Sequence, residues 1–289
     1  MLLICDCGST KAEWAVLDGN NVVKRFITNG FNPNFTDNAT MNRIISETKD
    51  IIDNQDVRKI CFYGSGCGGD SNILRVKLIF SRIFSKAEVE IYPDTLAACH
   101  ALFGNNSGVA CILGTGSNAS VYDGEVITQS AASLGFMIGD EGSGCHIGKR
   151  IVHDYFVGIM PEDLRVRFDE KYHLDRETFL KRVYQGEQPS RYLSEFARFA
   201  GENIENQYVI KLVEKCFEEF IETSFRPTAV SGGTTFNDYA RNDVGFVGSI
   251  AFAFKEILLK VLENHHIKCS KILKNPMDGL VEYYKSLIV

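Results

Sequence analysis

Two short runs of small and polar residues stand out, each directly after an apolar stretch. Leu2-Leu3-Ile4-Cys5 leads into Asp6-Cys7-Gly8-Ser9-Thr10-Lys11, and Val109-Ala110-Cys111-Ile112-Leu113 leads into Gly114-Thr115-Gly116-Ser117-Asn118. In the first run Gly8 lets the backbone approach a ligand closely, and Ser9, Thr10 and the amides through Lys11 can donate to phosphate oxygens. Asp6 stands at the strand end, placed to hold Mg²⁺ directly or through water, a cation that usually takes only one or two carboxylates. Taken alone the run reads equally well as a plain hairpin turn. The second run, with two glycines and two hydroxyls in its first four residues, tilts the balance. Two such loops facing each other would cradle a polyphosphate from both sides. Neither is a Walker A sequence, since GxxxxGK[ST] occurs nowhere in the chain, and a P-loop fold is disfavoured.

Asp94 follows Tyr92-Pro93 and opens the alanine-rich stretch Thr95-Leu96-Ala97-Ala98-Cys99-His100-Ala101. From local sequence alone that position reads first as a helix N-cap, which does not exclude a general base that accepts a hydroxyl proton during phosphoryl transfer. In Gly139-Asp140-Glu141-Gly142-Ser143-Gly144 two acids stand between glycines, which favours a binding loop over a solvated turn. Asn32-Pro33-Asn34 is either an ordinary Asx turn or a pair of amides for sugar hydroxyls, because an amide donates and accepts at once. Val244-Gly245-Phe246-Val247-Gly248-Ser249-Ile250 reads as strand, turn and helix start, a geometry that can seat an adenosine, and Ser231-Gly232-Gly233-Thr234-Thr235 competes for that role.

These residues need elements to position them. Each of the two runs is the turn after an apolar strand and leads into a second strand and an Asp-Gly corner (Asp18-Gly19, Asp123-Gly124), the pattern of a β-hairpin written twice about a hundred residues apart. The spacing predicts helices over 41–52 and 73–84 and strands over 59–63 and 89–92 between the copies. After the second copy it predicts helices over 147–156, 175–183, 192–200 and 203–224, a strand over 244–247 and a helix over 249–264. Strands first and helices behind, with no Pro/Gly/Ser-rich linker, imply two α/β domains with a ligand between them.

Composition narrows the function classes. The chain has 289 residues, 45% hydrophobic and 24% charged, with a formal net charge of −6. That is ordinary globular composition without the basic block that nucleic acid requires, so no nucleic-acid partner is expected. No apolar stretch approaches the roughly 20 residues needed to cross a bilayer, and the apolar start before Asp6 is too short for a signal peptide, so no membrane partner is expected either. The nine cysteines sit mostly in apolar runs, with no CxxC, which reads as reduced side chains in a cytoplasmic protein. Cys145 is expected to be exposed by its glycine neighbours.

In order along nearly the whole chain, these stations resemble the N-acetylglucosamine kinase family and its relatives in the BadF/BadG ATPase group, within the sugar kinase/Hsp70/actin superfamily. The resemblance implies an α/β fold of two actin-like (ribonuclease H-like) domains flanking an interdomain cleft. It implies boundaries at 1–104 and 105–276, with the tail at about 277–289 packing back on the first domain. Asp6-Cys7-Gly8-Ser9-Thr10-Lys11 looks like the family's first phosphate loop and Gly114-Thr115-Gly116-Ser117-Asn118 like its second. Asp94 matches the catalytic aspartate, Asn32 and Asn34 the sugar-contacting turn, Asp140 the sugar contact of the GDEGS segment, and Gly248-Ser249 the adenosine turn. Gly135-Phe136 stands where mammalian-type members carry Gly-Trp, so the packing of the acetamido group differs there, and 225–243 fits the pattern poorly. The resemblance thus implies ATP with Mg²⁺ at Asp6, an amino sugar as the small-molecule substrate, and a homodimer. Its alternatives are a glucosamine kinase, or a BadF-type activator that bridges an iron–sulfur cluster through paired cysteines.

Overall fold

The computed structural model describes residues 1–52, 56–225 and 243–288. The chain divides into two compact units, Met1–Asn106 with Asn275–Val289, and Ser107–Lys274.

The first unit runs β1 (Leu2–Cys7), β2 (Lys11–Asp18), β3 (Asn21–Asn29), α1 (Asn38–Ile52), β4 (Lys59–Gly64), α2 (Asp70–Ile83), β5 (Glu88–Pro93) and α3 (Asp94–Phe103). Its five strands are ordered β3-β2-β1-β4-β5, with β3, β2 and β1 antiparallel and β1, β4 and β5 parallel. Centrally placed parallel strands are covered on both faces, which is why β1 and β4 are apolar runs without alternation. Trp14 anchors the core, stacked on Phe26 with centroids 5.9 Å apart and packed on Phe62 and Phe80, while its indole N–H donates to Thr28 Oγ1 at 2.8 Å.

The second unit repeats the plan. Here β6 (Gly108–Leu113), β7 (Ser117–Tyr122) and β8 (Ile127–Ser130) form the antiparallel part. β9 (Val244–Val247) and β10 (Cys269–Leu273) extend β6 in parallel, giving the order β10-β9-β6-β7-β8. Between β8 and β9 lie α4 (Gly144–Val157), α5 (Glu162–Tyr172), α6 (Arg176–Gln185), α7 (Pro189–Glu195), α8 (Ala197–Glu202) and α9 (Gln207–Ser224); α10 (Ser249–Ala253) and α11 (Lys255–Asn264) follow β9. Phe168, Phe196, Phe199, Phe217 and Phe220 fill the core beside the sheet.

Two helices expected as single pieces are broken. The 192–200 helix divides at Phe196, whose N–H turns to Leu193 O at 3.2 Å, a tightened i to i+3 step. The 249–264 helix divides at Phe254, which leaves the helical region at ψ 27°. The 203–224 helix starts instead at Gln207, because Asn206 caps it by accepting from Tyr208 N.

The chain then returns to the first unit as α12 (Met277–Ser286), which packs on α3. Gly279 permits the close approach, since a Cβ there would lie 2.3 Å from Ala101 O. Tyr284 OH meets Tyr63 OH at 2.7 Å, and Tyr63 OH meets His100 Nδ1 at 2.7 Å. Burial pushes the His100 ring down to about 4, so it stays neutral over the physiological range. Among the described residues no helix is long and apolar enough to cross a membrane, and none of the nine cysteines is in a disulfide.

Candidate active site

In the first unit the carboxyl ends of β1, β4 and β5 lie side by side, with Cys7 opposite Gly64 and Gly64 opposite Pro93. Ligands of open α/β sheets gather at such strand ends. Asp6 is on β1, Ser65 follows β4, and Asp94 follows β5 as the first residue of α3. Ser65 N–H donates to Cys7 O at 3.0 Å and Ser65 Oγ donates to Asp94 Oδ2 at 2.7 Å. Asp94 is therefore not the N-cap: that position belongs to Pro93, and the carboxylate is turned to Ser65 instead of back to its own helix. Burial, then the neighbouring Asp94 and Glu13 charges, push the Asp6 carboxyl up to about 7, with Lys11 pulling the other way.

The Gly8–Lys11 loop closes through Gly8 N–H to Lys11 O at 3.0 Å and is braced by Gly30 N–H to Thr10 O at 2.8 Å. Ser9, Thr10 and Lys11 are exposed on it. Beside it, Asn32 Oδ1 accepts from Asn34 N at 2.9 Å, so the turn does form an Asx turn. Asn34 Oδ1 accepts from Asn72, whose Nδ2 also donates to Gly66 O, while Arg75 donates to Pro33 O and Thr36 O. Sequence reasoning passed over this wall of the site. Its signal is Gly64-Ser65-Gly66-Cys67-Gly68-Gly69, a strand end running through four glycines into α2.

In the second unit three candidate segments converge. Gly144 N–H donates to Gly114 O at 2.8 Å and Cys145 N–H to Thr115 O at 3.1 Å, which docks the start of α4 on the Gly114–Asn118 loop. Ser117 N–H donates to Asp140 Oδ1 at 3.2 Å, and the carboxylate lies where a Cβ on Gly116 would come within 3.0 Å of it. Burial raises the Asp140 carboxyl, against the lowering by the Ser117 amide and the Lys149 charge. Asp140 itself has φ 59°, a left-handed backbone that side chains disfavour and that binding sites often retain. Gly248 lies against the same loop, where a Cβ would meet Leu113 O at 2.1 Å, and Ser249 is exposed next to it. Asn118 accepts from Ser120 Oγ at 2.8 Å. Gly135, farther along, joins this group through Gly139 N–H to Gly135 O at 2.8 Å.

A pocket of about 130 Å³ is bordered by Ser117, Asn118, Asp140, Glu141, Thr223 and Ser224. A larger recess of about 610 Å³, among Lys49, Arg58, Phe84 and Lys86, lies at the opposite, amino ends of the parallel strands and holds none of the candidate residues. Ser231-Gly232-Gly233-Thr234-Thr235, the other adenosine candidate, lies outside the described residues. Cys145 is fully buried, contrary to the exposure expected from its glycine neighbours, because the start of α4 is pressed onto the Gly114 loop. Among the described residues no group of His, Cys, Asp and Glu is arranged to hold a metal ion with three or more ligands.

No protein-family model matches the sequence, and neither does any curated protein. Among solved structures, a candidate N-acetylglucosamine kinase from Porphyromonas gingivalis is 30% identical, with all of both chains covered and a TM-score of 0.92. A second candidate N-acetylglucosamine kinase, from Chromobacterium violaceum, is 12% identical over 98% of each chain with a TM-score of 0.70. A ROK hexokinase from Thermus thermophilus is 13% identical, with 98% of this chain and 96% of that one covered and a TM-score of 0.52. The two lower identities speak for the fold alone, an α/β fold of two actin-like units. With the full-length likeness at 30% identity, the chain belongs to the N-acetylglucosamine kinase family of the sugar kinase/actin-like superfamily.

Proposed function

We propose that this protein is an ATP-dependent sugar kinase whose substrate is an amino sugar, N-acetylglucosamine, phosphorylated on its C6 hydroxyl. The observation that carries the reading is the meeting of Asp6, Ser65 and Asp94 at three adjacent strand ends, beside the Gly8–Lys11 loop. Asp94 is the general base: it takes the hydroxyl proton as the oxygen attacks the γ-phosphoryl group, and Ser65 sets the direction of its carboxylate. The donor set at Asp6 fits Mg²⁺, because a hard cation would offset both the burial and the neighbouring Asp94 and Glu13 charges that disfavour the ionised carboxylate. Bound there, the cation neutralises charge on the ATP phosphates.

Gly8, Ser9, Thr10 and Lys11 in the first unit, and Gly114 and Thr115 in the second, donate to phosphate oxygens, and their amides stabilise charge on the group in transfer. Gly248 and Ser249 seat the adenosine. Asn32, Asn34, Gly116, Ser117, Asn118, Gly135 and Asp140 contact the sugar. Asn32 offers its amide nitrogen to the sugar while its oxygen accepts from Asn34 N–H in the turn. A cytoplasmic homodimer completes the reading.

The test is a coupled ADP-release assay with ATP and Mg²⁺ against N-acetylglucosamine, glucosamine and N-acetylmuramate. Turnover with N-acetylglucosamine that falls by about 10²–10⁴-fold in Asp94→Asn is the expected result. Turnover with glucosamine alone keeps the mechanism and changes the substrate. Near-normal phosphorylation by Asp94→Asn removes the base, and ADP release that no sugar stimulates removes the kinase.

A further inference from the structure

At Gly142 the loop that carries Asp140 is held by a side chain of α4. Gly142 N–H donates to His146 Nδ1 at 3.1 Å. Across the ring, Nε2 lies 3.3 Å from Glu219 Oε2, and the other oxygen of Glu219 accepts from Arg150 at 2.8 Å. Because Nδ1 accepts, the neutral imidazole carries its proton on Nε2, the nitrogen that lies beside the Glu219 carboxylate. The ring is 7% exposed, and its backbone N–H is fixed on Ser143 Oγ at 3.1 Å. Burial keeps the ring neutral, pushing it down to about 4.

The loop's other ties include Gly139 N–H to Gly135 O, Gly144 N–H to Gly114 O and Ser117 N–H to Asp140 Oδ1, none of which reaches the Gly142 N–H. Gly142 has φ 71°, and a Cβ on it would stand 2.8 Å from Phe220 Cβ on α9. Asp140 sits in the left-handed region at φ 59°, and Ser143 N–H reaches Asp140 O at 3.2 Å. Without an acceptor at Nδ1 the Gly142 N–H is left buried and unmatched, and the loop must turn to find a partner. The Asp140 carboxylate would then leave Gly116 and the Ser117 amide.

We propose that His146 is a positioning residue for sugar recognition: Glu219 selects its Nε2–H tautomer, and Nδ1 pins Gly142 so that Asp140 keeps its place. This rests on the reading of Asp140 as a sugar contact. Among the described residues no other side chain hydrogen-bonds Gly142 while facing α9: Arg150 touches Glu219, and Phe220 lies against Gly142.

Three variants of the full chain separate the two ends of the ring. In His146→Asn the side-chain oxygen stands near the place of Nδ1 and cannot reach Glu219. In His146→Gln the longer side chain reaches Glu219 and offers nothing to Gly142, and His146→Leu offers neither. Calorimetric binding and KM for N-acetylglucosamine are measured beside KM for ATP and the melting temperature. His146→Gln and His146→Leu are expected to weaken the sugar by at least about tenfold with the ATP constant within about twofold, and His146→Asn to stay within about threefold for both. Equal sugar affinity in all three variants overturns the proposal. So does a parallel loss of sugar binding, ATP binding and melting temperature in His146→Asn and His146→Leu, which is what packing alone would give. The ring itself is read by ¹H–¹⁵N correlation in histidine-labelled wild-type protein, where a neutral Nε2–H pattern is expected and an Nδ1–H pattern refutes the assignment. If the wild-type protein binds no sugar, it is the sugar reading that fails, while the ring spectrum still decides the Glu219–His146–Gly142 chain.

Discussion

Gly30→Ala tests whether the first loop depends on contact between two backbones. A Cβ at Gly30 would lie 2.0 Å from Gly8 O, 2.6 Å from Lys11 N and 2.8 Å from Lys11 C, where 3.4 Å is ordinary contact. All three obstacles are main-chain atoms, so no side chain can swing away, and the end of β3 and the loop must part by about 1.4 Å. Parting on that scale breaks the 2.8 Å bond from Gly30 N–H to Thr10 O and loosens the 3.0 Å closure from Gly8 N–H to Lys11 O. Two weakened backbone bonds at about 1 kcal/mol each, with about 1–3 kcal/mol of overpacking, amount to about 3–5 kcal/mol. In a unit of this size the melting temperature then falls by on the order of 10 °C. A loop displaced by more than an ångström is also expected to lower kcat/KM for ATP by about 10–100-fold in the coupled ADP-release assay. Gly68→Ala is the control, because nothing lies within 4 Å of its added Cβ, and it is expected to melt within about 2 °C of wild type. A Gly30→Ala protein with wild-type melting and a wild-type ATP constant would refute the reasoning, since the loop would then have tolerated the atom.

Three further outcomes follow from other contacts. His100 is held neutral, so the unfolded chain binds a proton between pH 6.5 and about 4 that the folded one refuses, and stability falls by up to about 3 kcal/mol as pH drops through that window. Asp6, raised to about 7, works in the opposite sense, losing stability as pH rises from about 4. Melting curves of His100→Asn against wild type from pH 7 to 4.5 isolate the histidine, and the variant's slope should be shallower. Tyr284→Phe removes the 2.7 Å bond to Tyr63 and is expected to cost about 1 kcal/mol in chemical denaturation with its rings otherwise in place. Asp278→Ala breaks the ion pair with Arg25, but both side chains are largely in water (41% and 73% exposed), so a change above about 1 kcal/mol in the same measurement would contradict the reading of that contact.

The parts of the fold legible in the sequence were those that bury apolar runs beside tight corners. Leu2–Cys7 and Gly108–Leu113 are central strands, apolar because they are covered on both faces, and their Gly/Ser/Thr turns and Asp-Gly corners marked both hairpins. β3, β8 and β10 were not legible, since an edge strand shields only one face and Asn-Val-Val-Lys-Arg-Phe-Ile-Thr-Asn is nowhere fully buried. α5 hid for a similar reason: Glu162–Tyr172 buries only Leu164 and Phe168, a single i,i+4 pair among charges. The two helix breaks, at Phe196 and Phe254, come from core packing that local propensity does not encode. In the site, the convergence of Gly114, Asp140 and Gly248 is a product of backbone contacts between distant segments, which no local pattern announces. Ser65 and His146 escaped notice because a lone serine or histidine acquires meaning only from the partner it meets, here Asp94 and Gly142.

The return of the chain as α12 bears on how the protein is made. The first unit's sheet and helices emerge from the ribosome early, yet α3 lacks its cover, and Tyr63 its Tyr284 partner, until residues 275–289 have been synthesised. The intervening 168 residues, Ser107–Lys274, form a contiguous unit that can close on itself first. Nascent chains halted within the second unit should therefore carry a first unit with a bare apolar face on α3, open to proteases and chaperones. Because the whole second unit lies between α3 and α12 in the sequence, the first unit can close only after the second has been made.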